Sequence, residues 1–245
     1  MIDLYKGDCL EVMKSIPDKS IDAIITDPPY GTTACKWDSV IDFSLMWEQL
    51  NRIIKPNGAI VLFGSEPFSS SLRMSNIKNY KYDWIWNKKK GANPLLSNRM
   101  PMKSHEVISV FYKKLPLYNP QFTKGKPYKA PKTGGTITNN FIKSNEKETF
   151  KQKDNDGKRH PLTIIDFSIH CGSKIHPTQK PIALMEYLIK TYTNENETVL
   201  DFTMGSGSTG VAAKNTNRNF IGIEQDDNYF KIAEQRIKET EYKLF

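Results

Sequence analysis

Residues 198–210 read TVLDFTMGSGSTG: an apolar run, an acidic residue near its end, then glycines leading into VAAKN. The pattern predicts a strand that turns sharply into a helix, because glycine accepts the backbone of a tight turn and lets a ligand approach the main chain. Gly205, Gly207 and Gly210 spell GxGxxG, and the free N–H groups at such a helix start favour a carboxylate or phosphate. Glu224 closes the next apolar run, NFIGIE, 19 residues after Gly205, where a carboxylate can accept hydrogen bonds from ribose hydroxyls. A dinucleotide suits the glycines and Glu224 but not Asp201, whose charge opposes a pyrophosphate and attracts a cation. S-adenosylmethionine (SAM), with a ribose, ammonium, sulfonium and carboxylate, suits the whole turn; Asp201 also reads as an Asx turn or helix cap.

The same alternation extends outward from this stretch. A helix starting near Pro181 precedes it, and a last helix carrying Tyr229, Ile232, Ala233 and Ile237 follows. Near the other end, residues 21–30 read IDAIITDPPY, a buried strand broken by Asp27 and prolines. From Ser44, residues Met46, Leu50, Ile53 and Ile54 share one helical face up to Lys55-Pro56-Asn57-Gly58, before the apolar run AIVLFG. Strand, helix and strand in alternation at both ends predict an α/β fold with a doubly wound, Rossmann-like parallel sheet.

Charge separates these two sets. The 245-residue chain has a net charge of +8, which favours an anionic partner. Between Lys78 and His160 there are 19 Lys+Arg against 6 Asp+Glu, leaving 16 against 21 elsewhere, so the positive excess sits in the middle. From Leu115 to Cys171 no periodicity is evident, and Tyr118, Phe122, Tyr128, Phe141 and Phe150 are interspersed among Lys, Thr, Asn, Gly and Pro. This reads as a loop-rich insertion, either a solvated loop or a phosphate-contacting surface with stacking groups. The expected division is 1–114, 115–172 and 173–245. There is no apolar run of about 18 residues, and the start MIDLYKGDCLEV is too polar for a signal peptide, so no membrane association and a cytoplasmic location are expected. Cys9, Cys35 and Cys171 lack CxxC spacing, and His105, His160, His170 and His176 lack zinc-enzyme spacing, so neither a disulfide framework nor a metal is expected.

The most specific signal is Asp27-Pro28-Pro29-Tyr30. Prolines fix the main chain and remove its donors, so the Asp27 carboxylate and Pro28 carbonyl can face one incoming amino group while Tyr30 offers a stacking face. With this tetrad the sequence resembles the amino-group DNA methyltransferases, and in its motif order their β class. The tetrad comes first, a recognition insertion follows, and the SAM motif from Asp201 to Gly210 comes last, a circularly permuted order. His176-Pro177-Thr178-Gln179-Lys180-Pro181 resembles the family's HPTxKP segment, though it also reads as a plain helix start; Gly7-Asp8-Cys9 resembles the motif whose acid contacts the SAM adenine. Arg99-Met100-Pro101 and His105-Glu106 resemble a structural motif before the recognition region.

The resemblance implies methyl transfer from SAM to an exocyclic nitrogen of a flipped base in double-stranded DNA, with adenine N6 expected from Asp27 at the head of the tetrad. Asp27, Pro28, Pro29 and Tyr30 are then the catalytic set, with Trp37 either covering the pocket or anchoring its loop. Asp8, Cys9, His176, Thr178, Lys180, Asp201, Phe202, Gly205, Ser206, Gly207, Ser208, Thr209 and Glu224 are the expected cofactor residues, with Glu224 on the ribose and Lys180 near the methionine end. A separate restriction endonuclease and a homodimeric partner are further implications. Two alternatives stay open: transfer to cytosine N4, whose enzymes more often carry Ser at the first position, and a dinucleotide-dependent oxidoreductase, which explains GxGxxG and Glu224 but neither the tetrad nor the basic insertion. The chain carries no GxxxxGK[ST] motif of an ATPase.

Overall fold

The computed structural model describes residues 1–32, 39–92, 94–130, 154–169 and 179–241. The chain divides into one unit of residues 1–119 and 162–245 and another of residues 120–161. In the first unit the strands are β1 (Ile2–Lys6), β2 (Ile21–Thr26), β3 (Ile54–Gly64), β4 (Tyr80–Ala92) and β5 (Lys103–Phe111), and, later in the chain, β8 (Ile164–Asp166), β9 (Thr198–Asp201) and β10 (Asn219–Glu224). They form one sheet in the order β1-β10-β9-β2-β3-β5-β4-β8. All neighbours run parallel except that β5 is antiparallel to both β3 and β4. The sheet is thus Rossmann-like, with the expected parallel winding and one reversed strand.

Alternation along the central strands explains the layers. On β2, Ala23 and Ile25 face one side with Val61 and Phe63 of β3, while Ile24 faces the other with Ile60 and Leu62. The first side is covered by α4 (Ile182–Tyr192), α5 (Ser208–Asn215) and α6 (Asp227–Glu239), through Leu184, Leu188, Val211, Ala233 and Ile237. The second is covered by α1 (Cys9–Met13), α2 (Phe43–Ile53) and α3 (Phe68–Ser75), through Met13, Met46, Leu50 and Leu72. Strands buried on both faces read as continuous apolar runs, which is why IDAIIT and AIVLF show no alternation of polarity.

Two expectations shift at their edges. Ile54 opens β3 instead of closing α2, and the KPNG segment is absorbed into that strand as an irregularity between the pairs Ile21–Ile54 and Ala23–Ala59. Gly58 makes this possible, since a Cβ there would lie 2.7 Å from the Asp22 carbonyl oxygen. Flanking parts of the stretch expected as an insertion belong to the first unit: Asn119 donates its backbone N–H to the Thr191 carbonyl at 2.8 Å, and β8 pairs with β4. The second unit holds β6 (Thr123–Lys124) and β7 (Lys158–Arg159), an antiparallel pair. Within it Lys158 stands over the Phe122 ring at 4.0 Å and Arg159 over Tyr128 at 4.9 Å. Among the described residues no helix is long and apolar enough to cross a membrane.

Candidate active site

β9 and β2 are neighbours, yet the chain leaves them toward opposite edges of the sheet. That switch opens a crevice beyond the carboxyl ends of the strands, where open α/β sheets bind ligands. A cavity of about 250 Å3 lies there, lined both by the turn after β9 and by the Asp27–Tyr30 tetrad. The two motifs read separately in sequence therefore face one space.

The turn owes its shape to glycine. Gly205 and Gly207 have φ of 52° and 79°, and a Cβ on Gly207 would lie 2.9 Å from that of Ala233. Gly210 serves packing: a Cβ would come within 2.3 Å of Ile237 Cδ1. α5 begins after Gly207 with no side-chain cap, and the buried Ser208 hydroxyl beside the cavity has no hydrogen-bond partner among the described residues. A helix start with open donors is the anion-favouring end of the site. Phe202, Met204, Ile223 and Tyr229 supply apolar wall, and Ser206 and Thr209 also line the space.

Glu224 shapes the turn from the end of β10. Its Oε2 accepts from the Gly205 N–H at 2.9 Å and its Oε1 from the Asp226 N–H at 2.8 Å, while burial lifts its carboxyl above the ordinary value. These bonds leave lone pairs on both oxygens for a hydroxyl donor. Asp8 is exposed at the rim, where Oδ1 accepts from the Leu10 N–H at 2.8 Å and caps α1. Cys9 next to it is buried, its thiol pushed up to about 12, chiefly by that burial, so it lines the cavity as a neutral group.

Asp201 joins the two motifs. Its carboxylate accepts from the Thr26 hydroxyl, from the Thr209 hydroxyl at 2.5 Å and from the Thr203 N–H at 3.2 Å. Burial raises its carboxyl to about 6 against those hydrogen bonds. The Thr203 hydroxyl in turn donates to the Asp27 carbonyl at 3.1 Å. Asp201 lines the cavity as expected, but its oxygens are already engaged in tying the end of β2 to the turn after β9. Thr26 and Thr203, which perform the tying, carry no motif that sequence reading could single out.

Asp27 stands at the end of β2 with both oxygens engaged. Tyr30 donates its hydroxyl to Oδ1, and the Lys180 ammonium donates to Oδ2 at 2.5 Å. Burial raises the Asp27 carboxyl, Lys180 opposes this, and Glu106 reinforces it. Pro28 is buried, and no described residue donates to its carbonyl. The Tyr30 ring lies 5.0 Å from that of Phe68, tilted by 31°. Lys180, expected at the methionine end of a cofactor, lines the cavity with its ammonium set between Asp27 and Glu106, 3.3 Å from Glu106 Oε2. Glu106, on β5, is also paired with Lys88 of β4 at 2.5 Å. Sequence reading placed Glu106 only in a structural motif and passed over Lys88. The available signal was a carboxylate directly before the apolar run VISVF, where a charge entering the interior needs a partner. His105 is exposed. His176, Thr178 and Trp37 lie outside the described residues.

Comparison with known proteins gives a consistent set of likenesses. Residues 21–235 match a family model described as DNA methylase. The type II methyltransferase M.HinfI of Haemophilus influenzae is 30% identical over 96% of this chain and 68% of its own length. The solved M1.HpyAVI–SAM complex is 31% identical with a TM-score of 0.63, covering 97% of this chain and 99% of that one. The cytosine-N4-specific PvuII DNA methyltransferase superposes with a TM-score of 0.69 over 96% of this chain and 86% of its own, at 17% identity, a likeness of fold alone.

Proposed function

The chain belongs to this DNA methylase family, whose members depend on SAM, and from that premise we propose that it methylates the exocyclic N6 of adenine within a short sequence of duplex DNA. The observation that carries the reading is the meeting in one cavity of a glycine turn with an open helix start and a carboxylate followed by a buried proline carbonyl. The site fits SAM by its own chemistry: Glu224 for ribose hydroxyls, apolar wall for the adenine with Asp8 at the rim, and the start of α5 with the buried Ser208 hydroxyl, without a partner among the described residues, for a carboxylate. Bound SAM supplies a methyl group on a sulfonium, which leaves with the S–C electron pair kept by sulfur.

The chain's residues then have to present an amine in line and raise its nucleophilicity. A carboxylate carries about four lone-pair sites, so Asp27 keeps acceptor capacity beyond its bonds to Tyr30 and Lys180. Asp27 and the Pro28 carbonyl accept the two amino hydrogens, drawing the nitrogen lone pair out of ring conjugation, and the Asp27 charge opposes the positive charge that builds on nitrogen. The proton shed afterwards passes to Asp27 or to solvent. Tyr30 stacks on a base extruded from the duplex, since a paired amine cannot attack. The basic second unit, with Lys124, Lys126, Lys158 and Arg159, is the surface assigned to phosphate contact and sequence readout.

Cytosine N4 is the competing acceptor, and the same geometry serves it; Asp27 in place of the Ser more frequent in those enzymes favours adenine. The test is incubation of the protein with unmethylated duplex DNA and labelled SAM, followed by nucleoside mass spectrometry. N6-methyladenine confined to one short motif is the expected product, and N4-methylcytosine would overturn the assignment of the base.

A further inference from the structure

Four charged side chains form an alternating string through the interior next to the cavity: Lys88, Glu106, Lys180 and Asp27, with side-chain exposures of 18%, 13%, 8% and 22%. They come from four segments, β4, β5, the approach to α4 and the end of β2. Charges this buried cost several kcal/mol each unless paired. Lys180 and Asp27 already neutralise each other at 2.5 Å, so a second buried pair beside them calls for a reason. The geometry supplies one. Lys180 gives a short hydrogen bond to Asp27, whereas Glu106 Oε2 lies 3.3 Å from its ammonium and is buried with no other partner among the described residues. The other Glu106 oxygen is held by Lys88, itself placed over the Trp86 ring at 5.1 Å. Glu106 is therefore fixed so that one bare oxygen pulls on the cation that serves Asp27.

We propose that Lys180 and Glu106 are a positioning pair for methyl transfer: Lys180 keeps the Asp27 carboxylate charged and aimed at the incoming amine, and Glu106, pinned by Lys88, limits that hold. The inference rests on the function proposed above and assigns to Lys180 a task other than cofactor contact. Asp27 is faced by Lys180, by Glu106 beyond it, by the Tyr30 phenol and by Asp201 at the end of β9. Lys180 is faced by Asp27, Glu106 and the Phe63 ring. Glu106 opposes ionisation of Asp27 and Lys180 promotes it, so removing each moves the acid limb of the reaction in opposite directions. Without Glu106 the limb falls to lower pH; without Lys180 it rises.

The experiment is single-turnover methylation of duplex DNA as a function of pH by the full chain, with SAM affinity measured separately by calorimetry. Lys180→Met should displace the acid limb upward and lower the rate at a fixed acidic pH by about tenfold relative to the plateau, about 1.4 kcal/mol, while Lys180→Arg restores the limb. Glu106→Gln should displace it downward. Lys88→Met touches neither Asp27 nor the cavity; it leaves Glu106 less compensated and should move the limb upward, which decides the matter if Lys180→Met fails to fold. SAM affinity should stay within a few-fold throughout. A uniform loss of rate at every pH, or a fall in SAM affinity in Lys180→Met with the limb unmoved, would overturn the pairing. If the unaltered chain methylates no base, the functional reading itself fails and takes the pairing with it.

Discussion

Asp27→Asn keeps the shape of the side chain and removes only its charge and one acceptor oxygen. At present Oδ2 receives the Lys180 ammonium at 2.5 Å and Oδ1 receives the Tyr30 hydroxyl. An amide NH2 cannot face an ammonium at that distance, so the Asn oxygen should stay with Lys180 and the NH2 turn to Tyr30, whose hydroxyl can reverse from donor to acceptor. The local geometry survives this exchange. Stripping the partner from a buried charge costs about 3–5 kcal/mol; here Glu106 remains 3.3 Å from Lys180, so a loss of about 1–3 kcal/mol is expected, the range for one unmet buried polar interaction. Catalysis loses more, because the substituted NH2 presents a donor in place of one oxygen that should draw on the incoming amine. Loss of a preorganised electrostatic contact of this kind costs about 100- to 1000-fold in rate, roughly 3–4 kcal/mol. Rapid-quench methylation under single-turnover conditions gives the rate, urea unfolding the stability, and calorimetry the SAM affinity, which should change little. A variant that methylates within about threefold of the unaltered chain, well short of the loss expected from a missing transition-state contact, would refute the acceptor role of Asp27.

Three further outcomes follow from the site. Burial lifts the Asp201 carboxyl from 3.8 to about 6, so the folded chain holds this proton more tightly than the unfolded one. Its contribution to stability is therefore greatest below the lower value and declines as pH rises through that window, by at most about 3 kcal/mol; urea unfolding of Asp201→Asn, which keeps an acceptor for Thr26 and a donor for Thr209, should show a flatter pH dependence than the unaltered chain. Glu224→Gln places an amide NH2 against either the Gly205 or the Asp226 N–H, so SAM affinity should fall about tenfold, near 1.4 kcal/mol, while the rate at saturation persists; calorimetry and single-turnover rates separate the two. Gly207→Ala meets a φ of 79° and a Cβ contact of 2.9 Å with Ala233, so a loss of about 1–3 kcal/mol is expected in thermal or urea unfolding.

The winding of the sheet was legible because its cause is local. Strand-length apolar runs ended by Asp-Pro-Pro or by glycines need no distant information to read, nor does the helix start at Pro181. Boundaries failed where a tertiary contact outweighed a local signal: Lys55-Pro56-Asn57-Gly58 looks like a helix stop and linker, but Gly58 lets that segment lie over the Asp22 carbonyl and continue as β3. The reversed strand β5 and the short edge strand β8 were not foreseen, although β4, with which both pair, does alternate, Tyr80, Tyr82, Trp84 and Trp86 standing at every second position.

For the site the division is sharper. Every side chain that sequence reading placed in the cavity and that the structure describes belongs to a motif of a few consecutive residues. The pairings it could not see act across the fold: Lys180 meets Asp27 from 153 positions away, and Asp201 meets Thr26 from 175. These long-range contacts also explain why the motif order matters little to the chemistry. What the reaction needs is β2 beside β9, with Ile24 paired to Leu200, so that Asp27 and the glycine turn end at the same level of the sheet. Thr26, Asp201 and Thr203 then lock that level by bonds that depend on adjacency, not on which strand is made first. A tetrad that precedes the SAM turn in the chain meets it in space as closely as one that follows, because the bonds require only that β2 and β9 be neighbours.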